Sequence, residues 1–407
     1  MAIIDIVEKI RAAWEGGESC LGIFIDFRKA FDTVDHDILI EKMRHKGIRG
    51  VPLELMKSYL KDRKQYVVYN GEESAQRDVT VGVPQGSILG PLFFLLYVND
   101  LAESSRVFEY ILFADDTNIF ASDKDKGLLY DKVNDELGVL SDWFACNKLT
   151  LNYDKTEFID FSKTTRENTA RNFSLSIDGS DIKKVAQSKF LGVRVDNGLS
   201  WRTHIGIIIR KIRQTMGIIG RARSFMAIGE LLKLYNTMVL PHLQYCIINW
   251  GNFQGDGNLK LRDEILATQK SLMRIITGSP PRSHADPLFS QLGVLKVDDL
   301  FTQSVRMFAF KAYKNSLPIG MQELFDRISV SHNYNTRGAE RNFFLRGNPK
   351  SIKYLVPSHW NSLPVHLKDK STVSSFKKGS KDEYLTRYSS FRCSVRNCYS
   401  CLPRPVP

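Results

Sequence analysis

The chain has 407 residues, 43% of them hydrophobic and 25% charged, with a net charge of +12. These are the proportions of a soluble globular protein long enough for two or three domains, and the longest apolar stretches, such as Leu92 to Val98, are too short to span a bilayer, so no membrane partner is expected. Six cysteines without paired spacings and an N-terminus that meets Asp5 and Glu8 at once exclude a disulfide framework and a secretory signal, and point to a reducing, intracellular setting, nucleus or cytoplasm.

Ala2 to Trp14 carries Ile3, Ile6, Val7, Ile10 and Trp14 at helical spacing and predicts an amphipathic helix ended by Gly16-Gly17. Leu21 to Phe27 reads as an apolar strand. Asp35 is placed to cap a helix running to Lys46, and Val51 to Leu60 predicts another. Gln65 to Tyr69 reads as a short strand ending at Asn70-Gly71, a hairpin signal. Gly82 to Gly86 is a Gly/Pro loop that leads into a largely apolar helix from Ser87 to about Leu101. Residues 109–121 then predict a tight hairpin with Asp115-Asp116 at its tip. Leu129, Val133, Leu137, Leu140 and Phe144 mark an amphipathic helix. Strands follow at Thr156 to Phe161, on either side of Asp178-Gly179, and at Lys189 to Val195. Strand, helix, paired strands, helix, strand is the order of a ferredoxin-like α+β sheet.

After Trp201 the character turns helical. Ile205, Ile208, Ile209, Ile212, Met216 and Ile219 form one apolar stripe, with Arg210, Arg213 and Arg221 on the opposite face. Further helices are expected over about 228–250 and 260–277. Residues 201–407 hold 31 basic and 13 acidic residues, against 26 and 32 in residues 1–200. An acidic half joined to a basic half suggests metal chemistry in one and polyanion binding in the other, unless the cations only solubilise the surface.

Asp26 ends an apolar strand on the same face as Phe24, with no Lys or Arg in that strand to pair it. It either caps a turn or, if the strand lies beside the 110–121 hairpin, converges with Asp115 and Asp116. Like charges set between apolar runs are costly unless a cation compensates them, although a solvated turn is the plain alternative for the Asp pair. Converging carboxylates suit Mg²⁺, and two such ions about 4 Å apart can clamp both oxygens of a phosphoryl transfer. Gly82-Val83-Pro84-Gln85-Gly86-Ser87 ahead of a helix would let backbone approach a phosphate.

Phe24-Ile25-Asp26-Phe27-Arg28-Lys29-Ala30-Phe31-Asp32, the Gly82 to Ser87 loop and Phe113-Ala114-Asp115-Asp116 resemble, in order and spacing, three successive motifs of reverse transcriptases. The likeness is to non-LTR (LINE-type) retrotransposons, in particular the jockey-like group. Asn152-Tyr153-Asp154-Lys155-Thr156 and Lys189-Phe190-Leu191-Gly192-Val193 are similar to the fourth and fifth motifs, and Trp360-Asn361-Ser362-Leu363-Pro364 to a stretch of that group's C-terminal region. The resemblance implies a right-hand polymerase palm over 1–200, a helical thumb-like region over 201–280 and a basic C-terminal extension over 281–407. It implies RNA-directed DNA synthesis with an RNA template, a DNA primer, deoxynucleoside triphosphates and two Mg²⁺ or Mn²⁺ ions. Asp26 and Asp115, with the Phe27 carbonyl, would be the main metal ligands and Asp116 a weaker third acid. Phe31 would exclude a ribose 2′-OH, and Gln85 and Gly86 would lie along the nucleotide and template. Lys155 would protonate the leaving pyrophosphate, and Phe190, Leu191 and Gly192 would grip the primer end. Arg210, Arg213 and Arg221 would contact nucleic-acid backbone. Arg337, Arg341, Arg346, Lys350 and Lys353 alternate with Tyr334, Phe343, Phe344 and Tyr354, which suits single-stranded nucleic acid or a loop packed through its aromatics.

Only about 25 residues precede Asp26, so by the same resemblance most of the fingers and the upstream endonuclease are missing, and weak or undetectable activity is expected of this chain alone. The competing expectation is a non-catalytic nucleic-acid-binding remnant. Cys393, Cys398 and Cys401 offer three thiolates, one short of a structural zinc site.

Overall fold

The computed structural model describes residues 1–162, 173–253, 258–328 and 341–389. Tyr334, Arg337, Cys393, Cys398 and Cys401 lie outside the described residues. The chain divides into two units, one of residues 9–198 and one of residues 3–8 with 199 onward.

In the first unit the buried strand β1 (Ser19–Ile25) is the centre of a six-stranded sheet. A hairpin stands outside that sheet: β2 (Lys64–Gln65) pairs β5 (Arg77–Asp78), and β3 (Val68–Tyr69) pairs β4 (Glu72–Glu73). Asn70 and Gly71 close it with φ of 52° and 85°, the backbone that an Asn-Gly turn adopts without strain. β6 (Glu109–Phe113) and β7 (Asp116–Asp123) form the second hairpin, and β7 and β8 (Glu157–Asp160) flank β1, both antiparallel. β9 (Leu175–Ile177) and β10 (Ser180–Lys184) extend the sheet, giving the order β6-β7-β1-β8-β10-β9. The four strands β6-β7-β1-β8 have the ferredoxin-like order that the sequence predicts.

Helices cover the sheet because their apolar faces need it. α1 (Ala2–Glu15) opens the chain. α2 (His36–His45) starts at Asp35, whose carboxylate accepts from the Asp37 and Ile38 amides at 3.0 Å. α3 (Val51–Leu60) follows, and α4 (Leu89–Val98) buries Phe93, Phe94, Tyr97 and Val98 in the core formed by β1 and α5 (Lys126–Cys146).

One expectation is corrected. Residues 189–195 are not a single strand but part of a hairpin of β11 (Gln187–Phe190) and β12 (Val193–Asp196). Leu191 and Gly192 both take positive φ, 44° and 81°, which turns the chain back on itself within two residues. An apolar run with glycine in it is legible as one strand or as two.

The second unit is helical. α6 (Arg202–Ala222) buries Ile205, Ile208, Ile209, Ile212 and Ile219 and exposes Arg210, Arg213 and Arg221, the two faces expected. Helices Leu259–Thr277, Val297–Tyr313, Ile352–Asn361 and Val373–Ser389 are the longest of the rest, apart from Ile228–Met238. Trp360 is fully buried among Tyr313, Phe310, Phe343 and Phe376. Beside it, Asn361 donates to the Phe343 carbonyl at 2.9 Å and accepts from the Phe343 amide at 3.0 Å. Phe343 is therefore core, and the loop-packing alternative holds for it over base stacking. Glu8 is buried too: it accepts from the Ser351 hydroxyl and, at 3.0 Å, from the Ile352 amide, capping helix Ile352–Asn361. Among the described residues no helix is long and apolar enough to cross a membrane.

Candidate functional site

Asp26 leaves the end of β1, where Ile25 pairs with Thr117 of β7. One further step along that ladder sets Asp26 beside Asp116, the first residue of β7. Phe113 pairs with Asp116 across the hairpin, so its two-residue tip is Ala114 and Asp115, one residue earlier than the Asp115-Asp116 tip expected, and Asp116 already belongs to β7. Ala114 sits at φ 53°, a left-handed conformation that costs an L residue about 1–2 kcal/mol and that the tight turn imposes. The sheet topology thus brings all three carboxylates to one sheet end, although Asp26 is far from the other two in sequence.

Asp26 is held from its other side. Its Oδ2 accepts from Asn152 Nδ2 at 2.9 Å and lies 3.6 Å from Lys155 Nζ. The Asn152 and Arg28 amides donate to the Asp26 and Thr150 carbonyls, both at 2.8 Å, which leaves the Phe27 carbonyl out of that ladder. A cleft of about 970 Å³ is lined by Asp26, Phe31, Gln85, Gly86, Asp115 and Lys155, among others.

The Gly82 to Ser87 loop is seated on residues 31–34. The Gly82 and Val83 amides donate to the carbonyls of Val34 and Phe31 at 2.7 and 2.8 Å. Gly82 has φ +85°, and a Cβ there would stand 2.7 Å from the Asp32 carbonyl oxygen, so only glycine fits. Gln85 Nε2 donates to Asp32 Oδ1 at 2.8 Å. Ser87 Oγ accepts from the Gly90 amide at 2.9 Å and so starts α4. The Phe31 ring packs 4.7 Å from Phe94 while also bordering the cleft.

Phe190 is buried against Phe24, ring centroids 6.3 Å apart, while at the turn Leu191 is half-buried and Gly192 exposed. Arg210, Arg213 and Arg221 belong to the second unit, where Arg213 pairs with Glu264 at 2.8 Å. Two residues gain a role that the sequence does not show: Asn152, of the fourth motif, reaches Asp26, and the charge of Lys189, of the fifth motif, acts on Asp116.

Burial pushes the Asp116 carboxyl above its ordinary range, the charges of Asp115 and then Asp26 push it further, and Lys189 opposes them. A carboxyl raised on folding keeps its proton to higher pH in the native state than in the unfolded one. Its ionisation therefore lowers stability as pH climbs from the ordinary carboxylate range through the raised value. Asp116→Asn is expected to stabilise the cation-free protein at neutral pH by a few tenths to about 1 kcal/mol, the size of a like-charge cross-strand penalty. The gain should vanish in acid, below the ordinary carboxylate range. Thermal melts in EDTA across pH check this, and a loss of stability at neutral pH would contradict it.

Among the described residues no three His, Cys, Asp or Glu side chains close into a ready metal cluster. The acids share one sheet end. The donor set still fits a hard divalent cation: it is all oxygen, and the raised Asp116 carboxyl marks a concentration of negative charge that such a cation relieves.

A family model described as reverse transcriptase (RNA-dependent DNA polymerase) matches residues 2–195. A probable RNA-directed DNA polymerase from transposon X-element of Drosophila melanogaster is 28% identical over 280 residues, 67% of this chain and 30% of that protein. An RNA-directed DNA polymerase from mobile element jockey of Drosophila funebris is 26% identical over 318 residues, 75% of this chain and 34% of that one. The chain spans about a third of the length of these curated relatives. Among solved structures, apo telomerase from Candida tropicalis aligns at 14% identity over 74% of this chain and 49% of that one, with a TM-score of 0.38.

Proposed function

We propose that the chain belongs, through residues 2–195, to the reverse transcriptases of jockey-like non-LTR retrotransposons and carries the catalytic palm of an RNA-directed DNA polymerase. Its reaction is addition of a deoxynucleotide to a DNA primer 3′-OH on an RNA template. The observation that carries this reading is the single cleft that Asp26, Asp115, Lys155 and the Gln85-Gly86 loop line together, with Asp116 next to Asp115 on the same hairpin.

Asp26 and Asp115, with the Phe27 carbonyl and the weaker Asp116, would hold two Mg²⁺ or Mn²⁺ ions, which supply Lewis-acid activation of the primer hydroxyl and neutralise charge on the leaving group. Phe31 stands at the cleft wall as a steric check on the ribose 2′ position. Gln85 and Gly86 face the nucleotide from the loop that Asp32 steadies. Lys155 carries the proton for the leaving pyrophosphate, as general acid. Leu191 and Gly192 offer backbone to the primer end, and Arg210 and Arg221 offer charge to the nucleic-acid backbone.

Primer extension tests this: the purified chain with an RNA template, annealed DNA primer, deoxynucleotides and Mg²⁺ or Mn²⁺. Addition of deoxynucleotides, even slow, that Asp26→Ala removes supports the reading. RNA binding without extension under either metal favours a binding remnant instead, for which the basic balance of residues 201–407 is sufficient.

A further inference from the structure

Asp26 is gripped by one residue at two points, its carboxylate and its backbone carbonyl. Asn152 Nδ2 donates to Asp26 Oδ2 at 2.9 Å, and the Asn152 backbone amide donates to the Asp26 carbonyl at 2.8 Å. A carboxylate only accepts, so the side-chain amide must turn its N–H toward it. The turn that carries Asn152 is already closed without this side chain. The Lys155 and Thr156 amides both donate to the Asn152 carbonyl, at 3.1 and 2.9 Å, and the Asp26 amide reaches Thr156 Oγ1 at 3.4 Å. The Asn152 side-chain bond is thus surplus to the chain trace and acts on the carboxylate alone.

Its effect is directional. Asn152 and Lys155 both address Oδ2, and among the described residues no hydrogen bond reaches Oδ1. Lys155 is the looser of the two, exposed and at 3.6 Å, beyond hydrogen-bond distance, and so is free to move to another anion. Asn152 is half-buried and anchored through its backbone. We propose that Asn152 is a positioning residue that locks the Asp26 carboxylate by Oδ2, so that Oδ1 is the oxygen left to bind a divalent cation in the cleft. The inference rests on the metal-dependent polymerase reading above.

The test uses the full chain and Mn²⁺ alone, with free Mn²⁺ followed by electron paramagnetic resonance and melting followed separately in EDTA. Partners that orient a metal ligand are worth about 10–100-fold in affinity. Asn152→Ala is expected to weaken Mn²⁺ binding by that factor while the melt in EDTA stays close to wild type. Asn152→Ser, which keeps a good turn residue but shortens the donor, covers the case in which the alanine variant fails to fold, and the same loss is expected of it. Mn²⁺ affinity within twofold of wild type in a folded variant overturns the inference, whatever happens to the melt. If that affinity is kept in the Asn152 variants but lost in Asp26→Ala, only the positioning role falls. If wild type binds Mn²⁺ no better than Asp26→Ala, the metal reading falls, and the positioning role with it.

Discussion

Asp115→Asn is expected to lower deoxynucleotide addition by roughly a thousandfold, whatever rate the wild-type chain supports. The substitution keeps the size and shape of the side chain, and asparagine is at home in a two-residue hairpin tip, so the turn at Ala114 and Asp115 should survive. What it removes is a charge. Metal-held stabilisation of the reacting oxygens is worth several kcal/mol, and each 1.36 kcal/mol is a factor of ten in rate. Single-turnover extension with protein in excess measures the ratio directly. The melting temperature in EDTA should not fall, because the Asp115 charge works against its neighbour Asp116. A loss of less than tenfold in rate would mean that Asp115 holds no ion that matters.

Trp360→Ala is expected to have the largest effect on stability. The indole is fully buried, stacks on Tyr313 with centroids 4.7 Å apart, and contacts Phe310, Phe343 and Phe376. Its Nε1 donates to the Arg341 carbonyl at 2.8 Å. Truncation removes the transfer energy of a large ring, leaves a cavity and orphans a carbonyl, about 3–5 kcal/mol together. In a marginally stable unit that is a large fraction of the total. Denaturant unfolding with a probe in the second unit reads it. A cost under about 1 kcal/mol would show that the aromatic cluster collapses onto the gap.

Much of this was legible in the sequence because short-range patterns carried it. Asp35 capped the helix it was expected to cap, Asn70-Gly71 turned its hairpin, and the isoleucine stripe of α6 went inward with its arginines outward. Long-range pairing was less legible. No local signal joins Asn152 to Asp26, since a side-chain amide at that distance in sequence finds its carboxylate only through the sheet. Phe343 suits touching a ligand or filling a core, because an aromatic ring does either; the packing chose the core, as it did for the Phe190 ring. The turn at Leu191-Gly192 was hidden by hydrophobic continuity, and only the backbone angles separate it from a strand. The carboxylates themselves were named from adjacent residues and motif order, and what the fold adds is the register that sets Asp26 beside Asp116.

Whether Asp26, Asp115 and Asp116 form the proposed divalent-cation centre is tested most directly by a Mn²⁺ titration of thermal stability. A ligand that binds only the native state at a hundred times its dissociation constant stabilises by about 2.7 kcal/mol, or about 5–10 °C for a unit of this size. Wild type should show that rise and Asp26→Ala should not. An equal rise in both proteins, or none in either, would contradict the claim.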